Sequence, residues 1–367
     1  MPRKFESVPI MKKVLTIIAA LAVVACSKTE PVYEQQDEII ISPVSQNTTK
    51  AMMPKGEFLG ESFNVWAWHN PTPALADAVD KFQEGFADGS TTLYVDERPF
   101  IEKDADKNLW GGKVAYYWPN TGSLLFAGYH APGLAADQVK YFFNATDNKM
   151  VFTDVKHSAV TAEGYADDIM YFNMTPSSYN KITNEVNLKF RHALSWITVT
   201  LAKRADPVIE AEITIEDVTF TSVSEQGTGT VEKFAPISWV ASEPKDLKHP
   251  GLPMVIEYDM IDGKEATKIY KLQEHLFIPQ QIAGLLVVTY SVKSTDNSKF
   301  TEIYKVDLRS LKEGAHNTWD AGKHYTYNLS IGTDEILVTP SVEPWENVGT
   351  DILIPLPEDM YDNTQNN

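Results

Sequence analysis

The sequence predicts an all-β protein made of tandem β-sandwiches, one per domain. Three observations carry this expectation. Apolar segments are short, and they either alternate with polar residues or are apolar on both faces. Helical spacing is confined to Pro73–Phe86, where Leu75, Val79, Phe82 and Phe86 fall on one side of a short helix. The 367-residue chain is 43% hydrophobic, enough for two cores of ordinary domain size. The expected division is residues 32–240 and 241–367, the second part ending in an acidic, amide-rich tail.

The chain starts with an export address. Lys12 and Lys13 precede an apolar run from Val14 to Ala25, broken only by Thr16, and Ala25 stands directly before Cys26. That is a signal peptide, residues 1–25, with a lipoprotein-type cleavage site. The run falls short of the roughly 20 apolar residues that a bilayer-spanning helix needs. Residues 1–10 lie ahead of an n-region with its own methionine and read as an upstream start. Cys26 is the only cysteine, so it has no disulfide partner and is expected to be the lipid attachment site. Residues 26–50 form the lipidated leader.

Within that leader, Ser27–Asp37 has the composition of a flexible tether. Ile39, Ile40 and Ile41, closed by Pro43 and Val44, make a short strand, and the proline sets its end at an edge. Residues 45–50 are a polar loop with Lys50 before Ala51, the kind of segment a protease cuts. Three isoleucines are too apolar for a free tether, so the strand reads as removable.

Phe63–Trp68 is expected to be buried on both faces, with Phe63, Val65 and Ala67 opposite Trp66 and Trp68. Tyr116–Pro119 and Ser123–Tyr129 read as two strands around a turn. In Glu185–Leu201 the apolar parity changes, which predicts a bulge between His192 and Ile197. A similar slip is expected at Glu216-Asp217, and Gly227 and Gly229 are expected to end that element. Ala235–Pro253 looks like the link between domains. Leu285–Tyr290 should sit mid-sheet with Ile303–Leu308 beside it, Tyr325–Ile331 is the most regular half-buried strand, and Ile336–Val342 with Trp345 gives one more.

Chemistry-bearing patterns are few. The formal charge of −18 argues against nucleic acid as a partner, since phosphates need Lys and Arg. Asp104-Ala-Asp-Lys-Asn108 opens like a calcium loop, but Leu109 and Ala115 stand where glycine and glutamate are required, so a solvated turn is expected. His192 reads as a buried, hydrogen-bonded strand residue. The histidine spacings and the single cysteine support no metal site, and no cofactor is expected. Nucleophile-elbow, P-loop and dinucleotide fingerprints are missing from the sequence, and adjacent carboxylates such as Asp167-Asp168 point to opposite strand faces. An enzyme is not expected. Trp66, Trp118, Trp196, Trp319 and Trp345 lie in or beside apolar strands and are expected in the core.

Four stretches carry a resemblance: Tyr117-Trp-Pro-Asn-Thr-Gly122 with Leu125-Phe126, Leu188-Lys-Phe-Arg-His-Ala-Leu194, Ile278-Pro-Gln280, and Trp319-Asp-Ala-Gly-Lys-His-Tyr-Thr-Tyr327. In order and spacing the chain resembles the fimbrillin family, the type V pilus subunits of Bacteroides-like bacteria. The resemblance implies two transthyretin-like β-sandwich domains and export as a lipoprotein to the outer membrane. It also implies removal of the first strand by a trypsin-like protease that cuts after a basic residue, usually arginine. Lys50 before Ala51 matches that position.

The first functional expectation is therefore a structural or adhesive subunit of a cell-surface pilus, stalk or tip. It is anchored through lipid on Cys26, matured near Lys50, and polymerised with copies of itself or related subunits by β-strand addition. The donated strand is expected in Ile336–Trp345 or in Asp351–Pro355. The alternative is a permanently lipidated outer-membrane protein, either a pilus anchor or a binder of a glycan or of a host or bacterial surface ligand, that does not polymerise.

Overall fold

Period-two alternation of apolar residues sets most of the strands, and those apolar on both parities lie between two cores. The computed structural model describes residues 37–45, 62–72, 78–105, 107–160, 168–177, 185–204, 211–233, 235–261, 264–310, 317–333 and 335–344. Residues 38–367 form one compact unit, and of the unit spanning 1–37 only Asp37 is described.

In chain order the first strands are β1 (Ile40–Ser45), β2 (Ser62–Asn70), β3 (Thr92–Asp104), β4 (Leu109–Gly112), β5 (Ser123–His130), β6 (Val139–Phe143), β7 (Asn148–Lys156), β8 (Ser158–Ala159), β9 (Met170–Ser177) and β10 (Glu185–His192). There follow β11 (Ser195–Lys203), β12 (Glu212–Val223), β13 (Gln226–Glu232), β14 (Ser238–Ala241), β15 (Lys245–Lys248), β16 (Met254–Ile256), β17 (Tyr258–Ile261), β18 (Lys264–Thr267) and β19 (Ile269–Lys271). The last are β20 (His275–Phe277), β21 (Gln280–Gln281), β22 (Leu286–Lys293), β23 (Lys299–Val306), β24 (Thr318–Trp319), β25 (Lys323–Ile331) and β26 (Ile336–Pro344). Helix α1 spans Ala78–Asp88.

Strands β1-β10-β9-β5-β2-β3-β4 close into a barrel. Its interior holds Ile39, Ile41, Phe63, Val65, Ala67, Phe126, Phe172, Leu188 and Phe190. The opposite parity of β2 and β5, with Trp66, Trp68, Leu125, Ala127 and Tyr129, faces a second core. Helix α1 and the β14-β13-β7-β6 sheet cover that core with Val79, Phe82, Met150 and Phe152. The expected helix is present from Ala78 onward, with Val79 and Phe82 buried and Phe86 against Phe143 at a centroid distance of 5.0 Å.

A third core lies between the β26-β25-β11-β20-β8 sheet and the β15-β12-β22-β23 sheet. It is a β-sandwich interior built on Ile197, Val199, Ile213, Ile215, Phe220, Val288, Trp319, Tyr325 and Tyr327. Two polar contacts fix one end of it: Trp319 Nε1 donates to the Tyr327 hydroxyl at 2.8 Å, and the Asp320 N–H donates to the Tyr325 hydroxyl at 2.9 Å. In Ile278-Pro-Gln280, the Gln280 side chain replaces a strand neighbour for Ser224, accepting from its N–H at 2.7 Å and donating to its carbonyl at 3.0 Å.

The slip at Glu216-Asp217 is present as a register shift of β12 against β22 between Ile215 and Asp217. Leu286–Lys293 lies mid-sheet, with Lys299–Val306 beside it. Other expectations are corrected. The parity change after His192 is no bulge: β10 ends there in the barrel, and β11 starts at Ser195 in the sandwich. Tyr116–Pro119 makes a single bridge, Tyr117 to Glu38, because Pro119 and the buried Trp118 leave no ladder to extend. Gly227 and Gly229 sit inside β13, where a side chain at Gly227 would meet Ile278 Cδ1 at 2.7 Å and the Val240 carbonyl at 2.8 Å. Ala235–Pro253 is paired chain rather than free link, with β14 on β13 and β15 on β12. On β25 the second face is also covered at its start, where the His324 ring stacks on Trp196 at 3.5 Å.

Candidate strand-exchange site

Strand β1 closes the barrel. It runs parallel to β10 over six residue pairs, from Ile40–Glu185 to Ser45–Phe190, and antiparallel to β4 at Ile40–Gly111 and Ile41–Trp110. Neither neighbour is close in sequence, and a parallel neighbour cannot be reached by a tight turn. Only the connection through residues 46–61 joins β1 to β2, so a cut there leaves β1 held in the barrel by packing and hydrogen bonds alone.

Alternation decides which β1 side chains do the holding. Ile39 and Ile41 are fully buried, whereas Ile40 is half-buried on the other parity. They rest on an aromatic floor in which Phe63 lies 5.3 Å from Trp110 and 5.3 Å from Phe190 between centroids, and Phe172 lies 4.8 Å from Phe190. Sealing two isoleucines away from water contributes about 3–6 kcal/mol.

Polar contacts set the register. The Ile39 N–H donates to the Tyr116 carbonyl at 2.7 Å, and the Asn108 side-chain amide donates to the Pro43 carbonyl at 3.3 Å. Lys103 reaches Glu38 at 3.4 Å. A Cβ at Gly111 would stand 3.0 Å from Glu38 Oε1 and 2.9 Å from Lys103 Cε, so this ion pair crosses directly over the glycine.

Of the residues expected to act, Ile39, Ile40 and Ile41 are brought together in this slot. The backbone of Val44 belongs to β1, but its side chain is outside the described residues, as are Cys26, Lys50, Ala51, Trp345 and Asp351–Pro355. Of the two expected donors, β26 is an edge strand paired with β25 alone, over nine residue pairs. Only its Ile336 is buried, and Leu337 is 48% exposed.

The remaining candidates are structural. His192 Nδ1 lies 2.6 Å from an oxygen of the buried Asp168, tying the end of β10 to the segment before β9. Asp104 ends β3, and the Lys107 N–H in the turn to β4 donates to its carboxylate at 3.3 Å. Trp66, Trp118, Trp196 and Trp319 are core residues. Sequence reasoning missed two groups. Lys189, Arg191 and Lys233 line one cleft; the alternation Asn187, Lys189, Arg191 along β10 was the available signal. His249 and His275 pack ring to ring in the interior, 5.0 Å between centroids, and isolated histidines give no periodic sign of that.

Comparison with known proteins gives a family. The model for the family described as Fimbrillin-like matches residues 49–345. No curated protein matches the sequence. Among solved structures, a fimbrial protein from Bacteroides vulgatus is similar at 14% identity and a TM-score of 0.49, over 84% of this chain and 100% of that one. The fimbrial anchor protein Mfa2 from Porphyromonas gingivalis is similar at 11% identity and a TM-score of 0.30, over 84% of this chain and 98% of that one.

Proposed function

Because the chain belongs to the fimbrillin-like family, we propose that it is a pilus subunit that polymerises by exchanging β1 for a strand of the next subunit. In this reading Cys26 carries lipid that holds the precursor at the outer membrane. A trypsin-like protease then cuts between Lys50 and Ala51, and β1 leaves with the anchor. The carrying observation is that β1 occupies a slot lined on both edges, by β4 and β10, with Ile39 and Ile41 fully buried. Emptying it bares two rows of unpaired backbone groups above an apolar floor, which favours strand addition.

The sequence offers a replacement. Asp351-Ile-Leu-Ile-Pro355 repeats the order acid, isoleucine, aliphatic, isoleucine found in Glu38-Ile-Ile-Ile41. Laid into the slot in the same direction, Ile352 and Ile354 take the places of Ile39 and Ile41. Asp351 then takes the place of Glu38, opposite Lys103. This favours Asp351–Pro355 over β26, whose removal would strip β25 of a full-length partner. The division into residues 32–240 and 241–367, as transthyretin-like units, belongs to the same proposal. Strands β11 and β12 of the first part pair with β25 and β22 of the second in the third core, so the two parts are joined by paired strands.

N-terminal sequencing of surface-assembled protein tests the reading. The expected first residue is Ala51, and polymers whose every subunit retains lipidated Cys26 would overturn it. A non-polymerising lipoprotein would instead stay monomeric on gels where the polymer gives heat-resistant ladders.

A further inference from the structure

The outer face of the barrel carries a cleft whose chemistry departs from the rest of the chain. Strands β9 and β10 lie side by side there with Arg191 opposite Tyr171, and Lys233, just after β13, lines its far side. The cleft encloses about 180 Å³ and is lined by Tyr171, Asn173, Asn187, Lys189, Arg191 and Lys233 among others. Acidic residues outnumber basic ones 50 to 32 in the sequence, yet three cations converge at this point.

Their partners leave them available. Lys233 lies 3.9 Å from Asp80, with both side chains well exposed, so that pair is weak. Lys189 and Arg191 have no carboxylate within ion-pairing distance among the described residues. Arg191 is half-buried beside the buried Tyr171 hydroxyl, which itself accepts from the Ile237 N–H at 3.0 Å. A partly desolvated guanidinium without a counter-charge is unfavourable on its own, and its planar fork matches a carboxylate or a sulfate.

The floor is rigid. The Asn173 side chain accepts from the Tyr141 hydroxyl at 2.7 Å and donates to the Lys233 carbonyl, which fixes the turn over the cleft. Asn187 makes no side-chain hydrogen bond to any described residue and presents both a donor and an acceptor.

We propose that this cleft binds an oxyanion-bearing saccharide. The carboxylate or sulfate of one sugar ring sits on Arg191, between Lys189 and Lys233, with ring hydroxyls on the amide of Asn187. A sugar suits the site better than an acidic peptide. Beside the cleft the β9–β10 ladder covers only Arg191–Tyr171 and His192–Met170, so the preference rests on the Asn187 amide, which ring hydroxyls can use together with the cations, and strand-like peptide binding is the outcome that the tetraglutamate arm reads. The site does not depend on strand exchange, so binding is measured on monomeric full chain with β1 in place.

Calorimetric titration with 3′-sialyllactose, N-acetylglucosamine 6-sulfate, lactose, sodium sulfate and a tetraglutamate peptide tests this. Saturable binding of either acidic sugar is expected, about tenfold or more tighter than lactose and weakening as salt rises. Carboxylate-only or sulfate-only binding supports the proposal and identifies the oxyanion. Arg191→Gln and Lys189→Gln should each weaken binding about tenfold, and Lys305→Gln on exposed β23 should leave it unchanged. Lys189 is exposed and makes no ion pair or side-chain hydrogen bond among the described residues, so its variant keeps the fold even if that of Arg191 does not. No saturable sugar binding, equal binding of lactose, sulfate or tetraglutamate, or an unaffected Lys189→Gln would each overturn the proposal.

Discussion

Ile41 is one of the two fully buried isoleucines that hold β1 in place. Ile41→Ala leaves a cavity above Phe63 and Phe190, and in the uncut chain it should cost about 2–5 kcal/mol by urea unfolding. Ile40→Ala, on the half-buried parity, should cost clearly less. Alternation made this legible, because three isoleucines before a proline fix both the strand and its buried face. The histidines were not legible. Burial lowers His249 to about 4 and His275 to about 3, with the neighbouring imidazoles adding to the effect on His275. Asp217 faces His249 and pulls it the other way, and Glu225 lies beside His157. Both folded values lie below the ordinary 6.5, so the unfolded chain takes up protons first as pH falls. Stability present above pH ~6.5 is therefore lost on descending toward about 4 and 3, at up to ~1.4 kcal/mol per unit and group. Urea midpoints measured from about pH 7 to 4.5 should fall, and His275→Phe should flatten the slope.

Among the elements, most strands were readable because their apolar parity is strict, and the misreadings share one physical cause. Where the chain changes sheets, as between His192 and Ser195, parity shifts without a bulge, since each sheet sets its own inside. Where a strand carries glycine for close approach, as at Gly227, composition imitates a turn. Nothing local in Ala235–Pro253 announces that its short strands pair with β13 and β12, because the partners are remote in sequence. The slot of β1 leads to a binding prediction. A chain starting at Ala51 should bind a synthetic peptide of residues 349–357 saturably, as followed by fluorescence anisotropy. The same peptide with Ile354→Asp should not bind, because a carboxylate would have to enter the place of Ile41. Equal binding of both peptides would remove Asp351–Pro355 as the donor.

For the whole molecule, charge would oppose the proposed assembly that the emptied slot would drive. Residues 1–50 carry six basic and five acidic side chains, so a subunit starting at Ala51 has a formal charge of −18 − 1 = −19; such subunits repel one another, and that repulsion is screened beyond roughly 8 Å at physiological salt. Ladder formation by protease-treated protein should therefore be faster in about 200 mM than in about 20 mM sodium chloride, read by gel densitometry. Composition made the charge legible, and the order of motifs made the family legible. The direction of β1 against β10 was visible only in the structure. That direction has a geometric outcome. A donor entering parallel to β10 joins one subunit's tail to the next subunit's flank, two surfaces that are not the same patch, so the contact is heterologous and need not close on itself. A fibre built by the proposed exchange would be a vector with two unlike tips. One tip would end in a vacant slot and the other in a spare strand, so growth and termination would occur at different ends.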